Sequence, residues 1–314
     1  MVNVFCSNVT KSLAGNLYIV ECLCQSEPNQ EISLKNRIMW RQAWSILYGE
    51  YPEDFFPPFV GSIVYFIIVM GFGIISRSLN KQHSPDYLKS YVADFVSTME
   101  MCAYFFENNN ILKHYGGIYL FLAIVVQLLI SNRTFGGASE NPCKAFHHLV
   151  LGQHPLLESA TTIIVQSLAG LASYRLAQVV WSLDTVADHR ERFYEIDCHS
   201  DLHTTLIVGL LLEMAGTLME TWGHSQVFFG NSFLNELTKV CHVAIMITFG
   251  ITWTGMFMNP AMASGHTLGC GGVRNWEHFL VYWIGPFIGC YLATIVDSFY
   301  HVNVKQTAKE KKMN

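Results

Sequence analysis

Charge is what this sequence has least of: Asp, Glu, Lys and Arg make up 14% of its 314 residues, against ~25% in soluble domains. A soluble enzyme is excluded on that ground. The formal net charge of −5, with no basic stripe and no interleaving of aromatic and basic residues, gives no reason to expect a nucleic-acid partner. No HExxH, no Ser-His-Asp arrangement and no CxxC pair occurs, so neither catalysis nor a metal or other cofactor is expected. The nine cysteines, an odd number scattered along the chain, suggest no disulfide framework. Cys22 and Cys24 are the only close pair, and a loop disulfide between them stays open. A cleavable signal peptide is also missing, because no basic segment with a short apolar core precedes the first strong apolar run at residue 59.

What is there in abundance is uncharged sequence. Phe59 to Ser76, Gly116 to Asn132, Val240 to Val273 and Phe279 to Val296 carry no Asp, Glu, Lys or Arg, and ~20 mostly apolar residues suffice to cross a bilayer. Seven spans are predicted, near 59–79, 89–107, 116–133, 158–183, 202–222, 236–257 and 278–300. Residues 36–58, with Trp40, Trp44, Tyr48, Tyr51, Phe55 and Phe56 among charges, read either as an interfacial helix or as an ordinary ordered loop. Arg77, Lys81, Lys89, Arg133, Lys144, Lys239 and the lysines of the tail collect on one side. Lys113, Arg190, Arg192 and Arg274 fall on the other, where the 184–201 loop is net acidic. The positive-inside rule then places the C-terminus in the cytosol and the N-terminus in a lumen or outside. The sequon Asn8-Val9-Thr10 lies on the side where glycosylation occurs, and Asn132-Arg133-Thr134 does not.

The second to fourth spans repeat in the fifth to seventh. Asp94-x-x-x-Thr98 corresponds to Glu213-x-x-x-Thr217. Asn141-Pro142-Cys143 follows Asp94 by 47 residues, and Asn259-Pro260-Ala261 follows Glu213 by 46. Three spans per half is an odd number, so the second copy enters the membrane from the opposite side. Each Asn-Pro opens an apolar stretch, 141–151 and 259–268, too short to cross. Asn is a favoured N-cap and Pro a favoured first helical residue. Two half-helices are therefore expected to meet N-terminus to N-terminus at the midplane. There non-helical backbone is tolerated only if protein shields it or it lines a watery cavity. The Asn oxygen would cap its own helix and its NH2 would donate to a passing oxygen, while both positive dipole ends repel cations.

With its paired Asn-Pro motifs, the segment Gly136-Gly137-Ala138-Ser139-Glu140-Asn141-Pro142, Thr254-Gly255, the stretch Trp283-Ile284-Gly285-Pro286-Phe287-Ile288-Gly289, and Gln166 in the third span of the first half, the chain resembles the aquaporins over residues 89–300. Cys143 in place of Ala makes it similar to the unorthodox intracellular superaquaporins. The resemblance implies an all-α membrane protein: an inverted repeat of six transmembrane helices (halves 89–183 and 202–300) plus two re-entrant half-helices. Around this lie an N-terminal segment 1–58, an extra transmembrane helix and loop 59–88, and a basic tail 301–314. It implies a passive channel for water and small neutral solutes, with membrane lipid around it, a homotetrameric assembly and no enzymatic activity. Asp94, Glu213 and Gln166 are expected to buttress the half-helix loops, Asp94 with the shorter reach. Met258 reads as packing, and His147 and His148 as structural or pore-edge residues. Glu220 could face the interior with Glu213, but the membrane interface beside Trp222 is favoured.

Carried along the family pattern, the selectivity constriction falls at Phe121, Ile247, Met256 and Met262. Most members have Arg at 262 and often His at 247, so here the constriction is apolar. A wider apolar ring could pass glycerol or hydrogen peroxide, or it could gate by dewetting and conduct water poorly. Lys144, at the pseudo-symmetric position in the first half, either supplies a cation barrier at the cytosolic mouth or pairs with Glu140. Lys311 and Lys312, near the end of the chain, resemble a dilysine retrieval signal, which implies the endoplasmic reticulum rather than the plasma membrane. The alternative function is a non-conducting membrane scaffold descended from a channel.

Overall fold

The computed structural model describes residues 57–194 and 198–313, the stretch 301–313 by its backbone alone. Asn8, Cys22, Cys24 and the 36–56 segment lie outside the described residues. The described chain is helical without a strand. Its helices are α1 (Pro58–His83), α2 (Asp86–Tyr115), α3 (Gly117–Thr134), α4 (Pro142–Val150), α5 (Leu156–Trp181), α6 (Ala187–Tyr194), α7 (Leu206–Ser225), α8 (Ser232–Thr254), α9 (Pro260–Thr267), α10 (Asn275–Phe279) and α11 (Gly285–Met313). A π turn over Leu280–Ile284 joins α10 to α11, just before Gly285-Pro286. Proline has no N–H for the helical ladder, which accounts for a widened turn at that point.

Six helical stretches are long and apolar enough to cross a membrane: α1, α3, α5, α7, α8 and Asn275–Tyr300. The remaining long helix, α2, runs 30 residues but is too polar for that description, and it extends well beyond the expected 89–107. Most of its buried polar groups are bonded to protein instead of water, as lipid requires. Arg77 of α1 donates to Glu100 at 2.6 Å, Tyr104 donates to the same carboxylate at 2.5 Å, Ser62 donates to Glu107 at 2.6 Å, and Asn108 and Gln127 exchange amide bonds at 3.0 and 2.7 Å. Glu100 sits where Gly73 leaves room, since a Cβ there would lie 1.7 Å from its Oε2. The extra helix α1 is thus fastened to the repeat by buried charge as well as by apolar contact.

The remaining crossing helices alternate direction, and side-chain contacts identify the two ends of the bundle. At one end Arg77 donates to the Thr134 carbonyl, Arg133 to Glu236, and Lys239 to the His224 carbonyl; this is the basic face. At the other the Phe59 N–H donates to Tyr115 Oη, Lys113 to Asp188, and the His203 N–H to the Trp253 carbonyl. There Cys198 and Cys270 form a disulfide, beside reciprocal backbone bonds of 2.9 Å between the Ser200 N–H and the Gly271 carbonyl and between the Gly271 N–H and the Cys198 carbonyl. The bridge corrects the expectation that the cysteines make no disulfide framework. It joins residues 72 apart in sequence that only the folded loops bring together.

Within each half a pair of helices packs closely, α2 with α5 and α7 with α11. Gly289 makes the second approach possible, since a Cβ there would lie 2.2 Å from the Met214 carbonyl oxygen.

The loop helix α6 is clasped to the disulfide face. Lys113 and His114 reach Asp188 at 2.7 and 2.6 Å, and His189 reaches Glu107 at 3.0 Å. Burial pushes the Asp188 carboxyl up, but the bonds from Lys113 and His114 outweigh it and hold the group below the ordinary carboxylate value. With its folded value depressed, this contribution to stability is complete above the unfolded value near ~4 and is lost only as pH falls through the lower folded one. Mild acidity therefore leaves this contact in place.

Candidate functional site: two opposed half-helices

Helices α4 and α9 begin at the same level of the bundle and run apart, α4 toward the basic face and α9 toward the disulfide. Their starts follow the rules of helix ends. Asn141 is extended at the N-cap of α4 and its side chain accepts from the Cys143 N–H at 2.9 Å, with Pro142 at the first helical position. Asn259 does the same for α9, accepting from the Ala261 and Met262 N–H groups at 3.0 and 3.2 Å, with Pro260 next. Each cap also holds the opposite loop. Asn141 Nδ2 donates to the Met258 carbonyl at 3.0 Å, and Asn259 Nδ2 to the Glu140 carbonyl at 2.9 Å. The NH2 expected to donate to a passing oxygen spends one N–H on the partner loop and keeps one, since an amide nitrogen has two.

The loops leading into the caps are held unequally. Glu213 accepts three bonds, from Thr254 Oγ1 at 2.7 Å, the Phe257 N–H at 3.1 Å and the Met258 N–H at 2.7 Å. That segment needs holding: Gly255 ends α8 in the left-handed region, and Met256 and Met258 follow at φ 46° and 50°, where side-chain-bearing residues are strained. Asp94 accepts one bond, from the Ser139 N–H at 2.7 Å. Gln166 supplements it by donating to the Ser139 carbonyl and hydroxyl at 3.1 and 3.0 Å. Ser139 and Thr254, the loop residues that donate to these carboxylates, were quoted in the sequence only among those that carry the resemblance and were given no role.

Of the expected constriction residues, Met262 belongs to the main apolar cluster, with Phe121 and Ile247 among the partly buried side chains packed against it, and Met256 belongs to a smaller cluster with Val243 and Met258, against which Ile247 also packs. Met258 is packing, as expected, at 1% exposure. Met256 is fitted as tightly. A Cβ on Gly216 would come within 2.3 Å of its Cε, and one on Gly250 within 2.6 Å of its Sδ. On the same side of the caps His266 of α9 stacks on Phe106, ring centroids 3.6 Å apart, and meets the Cys102 carbonyl at 3.0 Å.

On the basic face a cavity of about 350 Å³ reaches down to Asn141 and Cys143, with Lys144, His147 and His148 on one wall and Glu220, Thr221 and His224 on the other. Lys144 lines this cavity and pairs with Glu140. His147 and His148 stand at its edge. Glu220 lines it too, which corrects the favoured placement at the membrane interface. One heptad after Glu213 on the same helix is two turns on the same face, and that spacing was the available signal. Among the described residues no His, Cys, Asp and Glu group could hold a metal.

An inverted pair of capped half-helices inside a helical membrane bundle defines a transmembrane channel. The sequence model of the family described as Major intrinsic protein matches residues 53–297, and the chain belongs to that family. It is similar to Aquaporin-11 of Milnesium tardigradum, 22% identical over 235 residues that cover 74% of this chain and 84% of that one. It is also similar to Aquaporin-11 of Mus musculus, 23% identical over 263 residues (80% and 94%), and to Aquaporin-11 of Homo sapiens, 24% identical over 250 residues (77% and 89%). The protein is a multi-pass membrane channel for water or small solutes and not an enzyme.

Proposed function

We propose that the chain conducts water and small neutral solutes, glycerol and hydrogen peroxide among them, past the Asn141 and Asn259 amides, from a cytosolic vestibule on the basic face. The reciprocal clamp between the two half-helices supports this most directly, because it holds two helix N-termini and two uncommitted amide N–H groups at one level. Asn141, Pro142, Cys143, Asn259, Pro260 and Ala261 form the waist. Phe121, Ile247, Met256 and Met262 form the narrow apolar ring beyond it, and Asp94, Glu213 and Gln166 hold the loops. Lys144 supplies the cation barrier that Met262 does not. Homotetrameric assembly in the endoplasmic reticulum, retrieval through Lys311 and Lys312 and a glycan at Asn8 complete the reading.

Stopped-flow measurement on proteoliposomes tests it. Wild type should raise water, glycerol and peroxide permeability above empty vesicles. Asn141→Asp and Asn259→Asp should alter solute flux and admit cations, since an acid there offsets the positive helix ends. Wild-type vesicles no more permeable than empty ones would favour the non-conducting scaffold.

A further inference from the structure

The asparagine clamp accounts for the floor of the vestibule but not for its walls. Glu220 and Thr221 of α7 face Lys144 and His147 of α4 across about 350 Å³. Lys144 is held by Glu140, which leaves further ammonium N–H groups for the cavity, an ammonium having three. No hydrogen bond or ion pair ties Glu220 to another described residue. A carboxylate at membrane depth is costly unless something solvates it, and here the charge of Lys144 on the facing wall and the content of the cavity do so. Asn141 is 5% exposed, with one amide N–H committed to the Met258 carbonyl and the other left at the cavity floor. The site therefore offers a two-oxygen acceptor on one wall and ammonium and amide donors opposite.

That arrangement complements a neutral molecule with adjacent hydroxyls. Its two O–H groups donate to the two oxygens of Glu220, and its hydroxyl oxygens accept from Lys144 and Asn141. A single water gains less from a two-point acceptor, and a solute without donors leaves the carboxylate unpaired. Anions meet Glu140 and Glu220, and cations meet Lys144 and the start of α4. We propose that the vestibule is a binding site for small vicinal diols, glycerol among them, with Glu220 as its specificity-determining residue. As a step in transport this rests on the channel reading; as binding it does not.

Two measurements on the full chain separate these. In detergent, saturation-transfer NMR should detect glycerol on the wild type, competed more strongly by 1,2-propanediol than by 1,3-propanediol. Glu220→Gln should weaken binding about tenfold, the loss of a hydrogen bond to a charged acceptor, and Glu220→Asp should recover part of it. In proteoliposomes glycerol flux should saturate, and Glu220→Gln should lower the glycerol-to-water permeability ratio. Absent binding, equal competition by the two diols, or binding unchanged in Glu220→Gln overturns the site even if glycerol flux is present. Glycerol binding that depends on Glu220, in a protein that conducts nothing, overturns the channel reading and leaves the site standing.

Discussion

Glu213 and Asp94 occupy equivalent places in the two halves and do unequal work. The extra methylene of Glu213 lets one carboxylate collect a hydroxyl and two backbone N–H groups from a loop with two strained residues. Asp94 collects a single N–H from a loop that Gln166 also holds. Removing an acceptor leaves each buried donor unsatisfied at a cost of about 1–3 kcal/mol. Glu213→Ala should therefore destabilise the protein by at least about 3 kcal/mol and Asp94→Ala by about 1–3 kcal/mol, read as thermal unfolding in detergent. Glu213→Ala should also lose solute flux in whatever protein still folds, because Met258 carries the carbonyl that Asn141 holds. Equal destabilisation by the two changes would mean that the second loop is maintained by packing and not by Glu213.

At the scale of elements, each half-helix is too short to be stable alone and depends on how closely its neighbours approach. Helix α9 lies against α5 through two glycines. A Cβ on Gly170 would sit 2.1 Å from the Ala261 carbonyl oxygen, and one on Gly265 would sit 2.2 Å from the Gly170 carbonyl oxygen. Both obstacles are backbone, which cannot swing aside. Gly170→Ala or Gly265→Ala should push α9 away from α5, disturb the cap at Asn259, and abolish flux or folding. Gly71→Ala, on α1 with nothing within 4 Å of the added carbon, should do neither. Flux retained in both tight variants would show that the waist tolerates a displaced half-helix.

The half-helix starts were legible in the sequence because capping is local: Asn followed by Pro encodes a helix start within two residues. So were the apolar spans, from composition alone. The full length of α2 was not, because Glu107, Asn108 and Asn110 interrupt its hydropathy and become acceptable through Ser62, His189, Gln127 and Arg192, residues of other elements, and through the bond Asn110 donates to Glu107. The packing of Met256 against Gly216 and Gly250 is likewise a property of helix approach, which no motif records.

Taken as a whole molecule, the chain carries two independent signs of its orientation. By the positive-inside rule, the lysines and arginines near span ends are expected to put the face of Arg133 and Lys239 in the cytosol. The disulfide between Cys198 and Cys270 lies on the opposite face, and disulfides persist in oxidising compartments such as the endoplasmic reticulum lumen. The bridge was illegible in the sequence because it joins two loops in different parts of the repeat, yet once the spans alternate both loops must fall on one side. The agreement gives a test on the unmodified protein. In sealed vesicles with the cytosolic face outward, a membrane-impermeant phosphine should leave Cys198–Cys270 intact, and after permeabilisation it should reduce the bridge, as read by differential alkylation and mass spectrometry of the two peptides. Reduction in sealed vesicles would invert the orientation and move the Glu220 vestibule to the lumenal side. Free thiols at both positions before any reductant would remove the bridge itself, leaving the two backbone bonds between Cys198–Ser200 and Gly271 to join the two loops among the described residues.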